Sequence, residues 1–200
     1  MARPIEFYFD FSSPYGYLAA QRIDEIAERH GRQVAWKPFL LGVTFKATGL
    51  GPMAEIPIKG DYFRHDVPRS ARLLDVPVQV PDPFPFMSVS AARAVYWLSD
   101  RDEPRSRAFA KRLYQIAFGE GRDISRPESV VAAAADFGLE REAVSEALRD
   151  PAVKDRLRRE VDAGIEKGVF GSPYIFVDGE PFWGHDRLDQ VERWLETGGW

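Results

Sequence analysis

Cysteine is absent from all 200 residues. That removes disulfides, thiolate zinc sites, iron–sulfur clusters and any thiol chemistry carried by the chain itself. Histidine is scarce: His30, His65 and His185 are all there is, and they share no metal-ligand spacing, so no metal is expected. No run approaches the roughly 18 apolar residues of a membrane span. No apolar leader with a small-residue cleavage site separates Met1-Ala2-Arg3-Pro4 from the first strand pattern. The expectation is a cytoplasmic protein with no membrane partner. An excess of positive charge is missing too. Lys and Arg total 27 against 31 Asp and Glu, a net charge of −4, which argues against nucleic acid and anionic membrane surfaces as partners. Neither standard glycine-rich phosphate loop occurs.

What remains is an ordinary globular composition, 44% hydrophobic and 29% charged, long enough for one sizeable core or a core with a packed insert. Ile5, Phe7, Phe9 and Phe11 alternate with Glu6, Tyr8 and Asp10, the period of a strand with one buried face. Ser13 then suits a helix N-cap and Pro14 the first helical position, and apolar residues at helical spacing continue until Gly31. Gln33 to Phe39 reads as a second strand, so the first 39 residues form a βαβ unit. Near the other end, Tyr174 to Val177 is a strand, Asp178-Gly179 a hairpin turn, Glu180 to Trp183 the return strand, and Asp186 the cap of a final helix: a ββα unit. Between them the pattern is helical over 61–75 (kinked at Pro68), 88–98, 105–118, 127–137, 140–149 and 151–167. Ser125 and Glu128 form a capping box, and Asp150 caps the last of these helices. Pro77 to Phe86, with prolines at 77, 81, 83 and 85, is an extended connection. The whole predicts an α/β, thioredoxin-like fold (βαβ plus ββα) over 1–40 and 165–200, with an inserted all-helical domain over 41–164.

In such a fold the junction Phe11-Ser12-Ser13-Pro14-Tyr15-Gly16 stands where a Cys-x-x-Cys pair would, with Ser13 at the first thiol position and Gly16 at the second. Ser13 either caps the helix or adds a donor to the helix start for a bound anion. Pro173, opening the third strand opposite that junction, is either an ordinary edge proline or a cis one that leaves the Ser172 backbone open to an extended peptide. Asp186 either caps a helix or holds an ammonium group. Arg156, Arg158 and Arg159 read as a solvated face, and Trp36, Trp97 and Trp194 as core or interface.

Three segments carry a resemblance: FYFDFSSPYGYLA at 7–19, IKGDY at 58–62 and GVFGSPYIFVDGEPFWGHDRLDQVERWL at 168–195. The chain resembles the 2-hydroxychromene-2-carboxylate isomerases and the related kappa-class glutathione transferases. The resemblance implies a thioredoxin domain with a helical insert, a homodimer, glutathione as cofactor and a small aromatic substrate. It implies a cis–trans isomerisation by reversible addition of the glutathione thiolate. Transferase-type conjugation and a non-catalytic glutathione- or peptide-binding module are the alternatives. By position, Ser13 would meet the glutathione sulfur and Lys59 its glycine carboxylate. Ser172, before cis-Pro173, would pair with its cysteinyl backbone, and His185 with Asp186 would hold its γ-glutamyl end. Leu50 and Met87 stand where asparagine is common in the family.

Overall fold

The computed structural model describes residues 3–200, so Met1 and Ala2 lie outside it. Strands β1 (Ile5–Phe9) and β2 (Val34–Pro38) pair in parallel through helices α1 (Pro14–Ala20) and α2 (Ile23–Arg29). Strands β3 (Tyr174–Val177) and β4 (Glu180–Trp183) form a hairpin antiparallel to β1, and the sheet order is β2-β1-β3-β4. Both hairpin-turn residues have positive φ, 52° at Asp178 and 101° at Gly179, the conformation an Asp-Gly turn favours. Helix α10 (Leu188–Thr197) closes the chain. The inserted helical domain carries α3 (Leu41–Thr48), α4 (Lys59–Leu73), α5 (Val89–Ser99), α6 (Glu103–Tyr114), α7 (Pro127–Asp136), α8 (Arg141–Arg149) and α9 (Pro151–Glu166). No helix among the described residues is long and apolar enough to cross a membrane.

Strand β1 is buried on both faces rather than one. Ile5, Phe7 and Phe9 enter the larger core with α1, α2 and α10, while Tyr8 enters a second core with Phe39, Tyr96, Leu157 and Val161. The reason is the insert: α5 and α9 cover the face that a lone βαβ unit would leave to water. Helix α9 comes so close that a Cβ at Gly164 would sit 2.8 Å from the Phe39 ring.

Several boundaries differ from expectation for local reasons. The single helix after Ser13 is two, because Gln21 gives its side-chain amide to the Tyr17 carbonyl and the chain tightens there, with Arg22 N–H donating to Ala19 C=O. Asp102 accepts from Arg105 N–H, so α6 starts at Glu103, and after Tyr114 it widens into a π-helical turn over Gln115–Gly119. The Ser125/Glu128 capping box does not form. Pro127 is the first helical residue, which makes Arg126 the cap, while Ser125 N–H donates to Asp123. Asp150 does cap α9 through Ala152 N–H. Asp186 does not cap α10: a 3-10 turn, His185–Arg187, intervenes and Asp186 pairs with Arg187 at 3.2 Å. The connection over 77–86 is free of helix and strand, as expected, and contains cis bonds at Asp82–Pro83 and Phe84–Pro85.

Candidate active site

The end of β1, the start of α1 and the entry to β3 meet through hydroxyl and backbone groups. Ser13 is 6% exposed, caps α1 by accepting from Gly16 N–H (3.0 Å), and donates its own proton to Ser172 C=O (2.9 Å). Across the same gap Asp10 N–H donates to Ser172 Oγ (2.9 Å). The Ser172–Pro173 bond is cis. Ser13, Ser172 and Pro173 are therefore brought together.

Two donors at this junction stay open. Neither Tyr15 N–H nor Ser172 N–H has an acceptor among the described residues. Tyr15 N–H is one of the orphan donors that every helix start presents, and Pro14 before it has none. Ser172 C=O accepts from Ser13 and keeps a second lone pair. An anion seated here would meet Tyr15 N–H directly; Ser13 Oγ–H could reach it only by turning away from Ser172 C=O.

The frame behind the junction centres on Asp10, which the sequence reading treated only as an outward residue of a strand. It is 4% exposed, and its carboxylate accepts from four donors: Ser12 N–H (2.8 Å), Ser12 Oγ (2.8 Å), Ser88 Oγ (2.7 Å) and Leu41 N–H (2.8 Å). One side chain thus ties β1 to the starts of α3 and α5. Tyr114, fully buried at the end of α6, donates to Asp10 C=O at 2.9 Å, and burial pushes its phenol well above the ordinary range. Its hydroxyl explains Gly16. A Cβ there would overlap the Tyr114 oxygen and lie 2.8 Å from Ser172 Oγ. The missing second thiol position is a packing requirement of this frame.

His185 is placed on the same mouth by stacking on Tyr15, ring centroids 4.9 Å apart and planes 12° apart. Burial lowers its pKa from the ordinary 6.5, with Asp186 and Asp66 opposing, so the imidazole is neutral near pH 7. Tyr15 in turn donates to Asp66 of α4 at 2.7 Å and packs edge-on against Phe63. Burial works to raise the Asp66 pKa, but hydrogen bonds from Tyr15, Arg69 and Tyr62 outweigh it and hold the group ionised. Lys59 begins α4 one turn before Phe63, exposed, with no hydrogen bond or ion pair to its ammonium among the described residues. No hydrogen bond joins it to Ser13, Ser172 or His185 among the described residues, and Asp186 pairs with Arg187 beside Gly184. Phe170 and Trp183 pack edge-on at 4.8 Å, both partly exposed, flanking Gly171-Ser172-Pro173. Met87 is exposed next to Ser88, and Leu50 is exposed as well.

Asp10, Tyr15, Asp66, Ser88 and Tyr114 escaped the sequence reading. A carboxylate following alternating phenylalanines and preceding Ser-Ser was the available signal for Asp10, since Asp readily accepts from the backbone two residues on. Ser88 and Tyr114 are distant in sequence and carried no local signal.

Comparison with known proteins covers nearly the whole chain. A family model described as DSBA-like thioredoxin domain matches residues 4–196. A 2-hydroxychromene-2-carboxylate isomerase from Sphingobium xenophagum is 34% identical over 197 residues, 98% of this chain and 99% of that protein. Human glutathione S-transferase kappa 1 is 25% identical over 212 residues, 98% of this chain and 94% of that protein. A solved structure of a 2-hydroxychromene-2-carboxylate isomerase superposes with a TM-score of 0.86 at 30% identity, covering 97% of this chain and 95% of that one.

Proposed function

The chain belongs to the 2-hydroxychromene-2-carboxylate isomerase family of DSBA-like thioredoxin domains, and from that premise we propose that it is a glutathione-dependent cis–trans isomerase of aromatic-degradation intermediates. The observation that supports this best is the junction itself. A thioredoxin-type thiol site is intact in backbone and donors, with open N–H groups at Tyr15 and Ser172, yet holds serine and glycine in place of thiols. Those residues fit a ligand that brings an extended peptide backbone and its own sulfur. Glutathione, when bound, supplies the thiolate that the chain lacks, for reversible addition to a conjugated carbon of the opened chromene.

The chain's residues then have separate tasks. Tyr15 N–H, and Ser13 Oγ–H once turned from Ser172 C=O, stabilise negative charge at the sulfur. A pKa lowered by ~2 units makes the anion roughly 25-fold more abundant at neutral pH, but with a Brønsted slope near 0.5 about 10-fold is lost in nucleophilicity. Ionisation alone therefore contributes little, and the larger task of Ser13 and the Asp10 frame is positioning. Ser172 pairs with the cysteinyl backbone beside Pro173. Lys59 meets the glycine carboxylate. His185 forms a neutral wall on Tyr15, and Asp186 turns from Arg187 to take the γ-glutamyl ammonium. The exposed faces of Phe170, Trp183 and Met87 flank the space for the aromatic substrate. A homodimer, a cytoplasmic location and a division into 1–40 with 165–200 and 41–164 complete the reading.

Calorimetric titration with glutathione, followed by a spectral assay on hydroxychromene carboxylate, tests it. Saturable binding and glutathione-dependent turnover are expected. Turnover of a chlorodinitrobenzene-type electrophile alone would assign a transferase, and binding without either activity a non-catalytic module. Lys59→Ala should weaken glutathione binding by about 1–3 kcal/mol, the scale of a charge-assisted bond; an unchanged affinity makes Lys59 a surface lysine.

A further inference from the structure

On the outer side of the helical domain, α5, α7, α8 and α9 line an open-sided cavity of about 540 Å³. It is separate from the junction. Ser90 and Arg93 line it from α5, while Ser88, the residue that precedes the helix, faces Asp10. Four cations surround it, Arg93, Arg141, Arg149 and Lys154, against a single carboxylate, Glu128, in a chain whose net charge is −4. None of the four is in an ion pair among the described residues, although Arg156, two residues from Lys154, is held by both Asp100 and Glu160.

Arg93 is the sharpest feature. Its Nε is buried with no partner, and its one hydrogen bond, Nη1 to Leu148 C=O, is stretched to 3.4 Å. Partial burial lowers its pKa from the ordinary value, the direction desolvation imposes on a cation. A guanidinium fork matches the paired oxygens of a phosphate, and the Ser90 and Ser145 hydroxyls add neutral donors at the same wall. Pro127, Val131 and Leu148 supply an apolar floor. The volume is within the range of small-ligand sites, about 300–1,000 Å³.

We propose that this cavity binds a small molecule carrying two or more phosphate charges, with the half-buried Arg93 as the anchor and Arg141, Arg149 and Lys154 as the rim. The excess of cations over the one carboxylate favours a multivalent anion, and the apolar floor leaves room for an organic body on it.

Inorganic pyrophosphate and ADP are the probes, titrated calorimetrically into the full chain, with citrate as the carboxylate control. Saturable pyrophosphate binding is expected, weakened by about ten-fold or more in Arg93→Met and in Arg149→Gln, the scale of one lost charge-assisted bond. Glutathione affinity should be unchanged in both variants. Tighter binding of ADP than of pyrophosphate would assign an organic phosphate to the apolar floor; equal binding would assign a free polyphosphate. Because Met replaces a half-buried charge that has no ion pair, at similar volume, Arg93→Met should melt at or near the wild-type temperature without phosphate. No saturable binding, equal binding by the variants, or equal binding of citrate would overturn the proposal. So would a change of oligomeric state in Arg93→Met measured by sedimentation, since the cations would then face a second copy of the chain.

Discussion

Ser13 shows how much one hydroxyl can hold. It accepts from Gly16 N–H and donates to Ser172 C=O, so Ser13→Ala loses a cap and a bond to the loop entering β3 together, about 1–3 kcal/mol in all. If it also serves the sulfur, turnover should drop by roughly 100-fold while glutathione still binds, and the bound thiol pKa should rise toward its free value. Thiolate absorbance titrated in both proteins checks this; a folded variant with an unshifted thiol pKa and near-normal turnover would leave Ser13 a cap. Its neighbour Gly16 has no room for a methyl group between Tyr114 and Ser172. Gly16→Ala should therefore cost about 1–3 kcal/mol by overpacking, read from the urea midpoint at constant m.

At the scale of elements, the connection into α4 carries local strain. Ile58 sits at φ 70°, ψ −51°, and Lys59 N–H donates to Pro57 C=O at 2.8 Å, a γ-turn of the positive-φ kind centred on a β-branched residue. Its side chain is 87% exposed, so no packing compensates. Ile58→Gly should stabilise the chain by roughly 0.5–2 kcal/mol, the strain relieved less the added freedom of the unfolded chain, measured by chemical denaturation. A destabilised variant would show that the turn is held at no cost. The same region marks the limit of what sequence could tell. Strands β1 to β4, the Asp-Gly turn and the Asp150 cap were legible because their signals are local: alternation, turn chemistry and a carboxylate before Pro151. Helix α3, with Gly42 and Thr44 amid short apolar runs, has no comparable pattern. The burial of Tyr8 was hidden because it depends on α9, some 150 positions away. Of the site, Ser13, Ser172 and Pro173 could be found from the fold's own junctions; Asp10 had a local signal only for its bond to Ser12, and Tyr114 had none, since its role depends on a residue 104 positions away.

Over the whole molecule, acid should act in separable steps. His185 has a folded pKa below its ordinary 6.5, so as pH falls below that value the unfolded chain takes up a proton that the folded chain resists, and stability declines. Asp66 is held below its ordinary 3.8, so its contribution, present above that value, is lost at still lower pH as the folded carboxylate titrates. Urea denaturation across pH should show the first decline between about pH 7 and 5, and His185→Gln should flatten that part of the profile alone. A wild-type profile that is already flat there would place His185 in water rather than against Tyr15. The Asp10 frame has a consequence for how the protein is made. Asp10 is made before Leu41, Ser88 and Tyr114, and Ser172 comes 162 positions after it. At roughly 5–20 residues per second, ribosomes need roughly 8–30 s to travel between the two. The carboxylate's partners are all made before Ser172, whose hydroxyl takes the Asp10 N–H instead, so the wall of the cleft that would face sulfur is the last part of the frame to leave the ribosome.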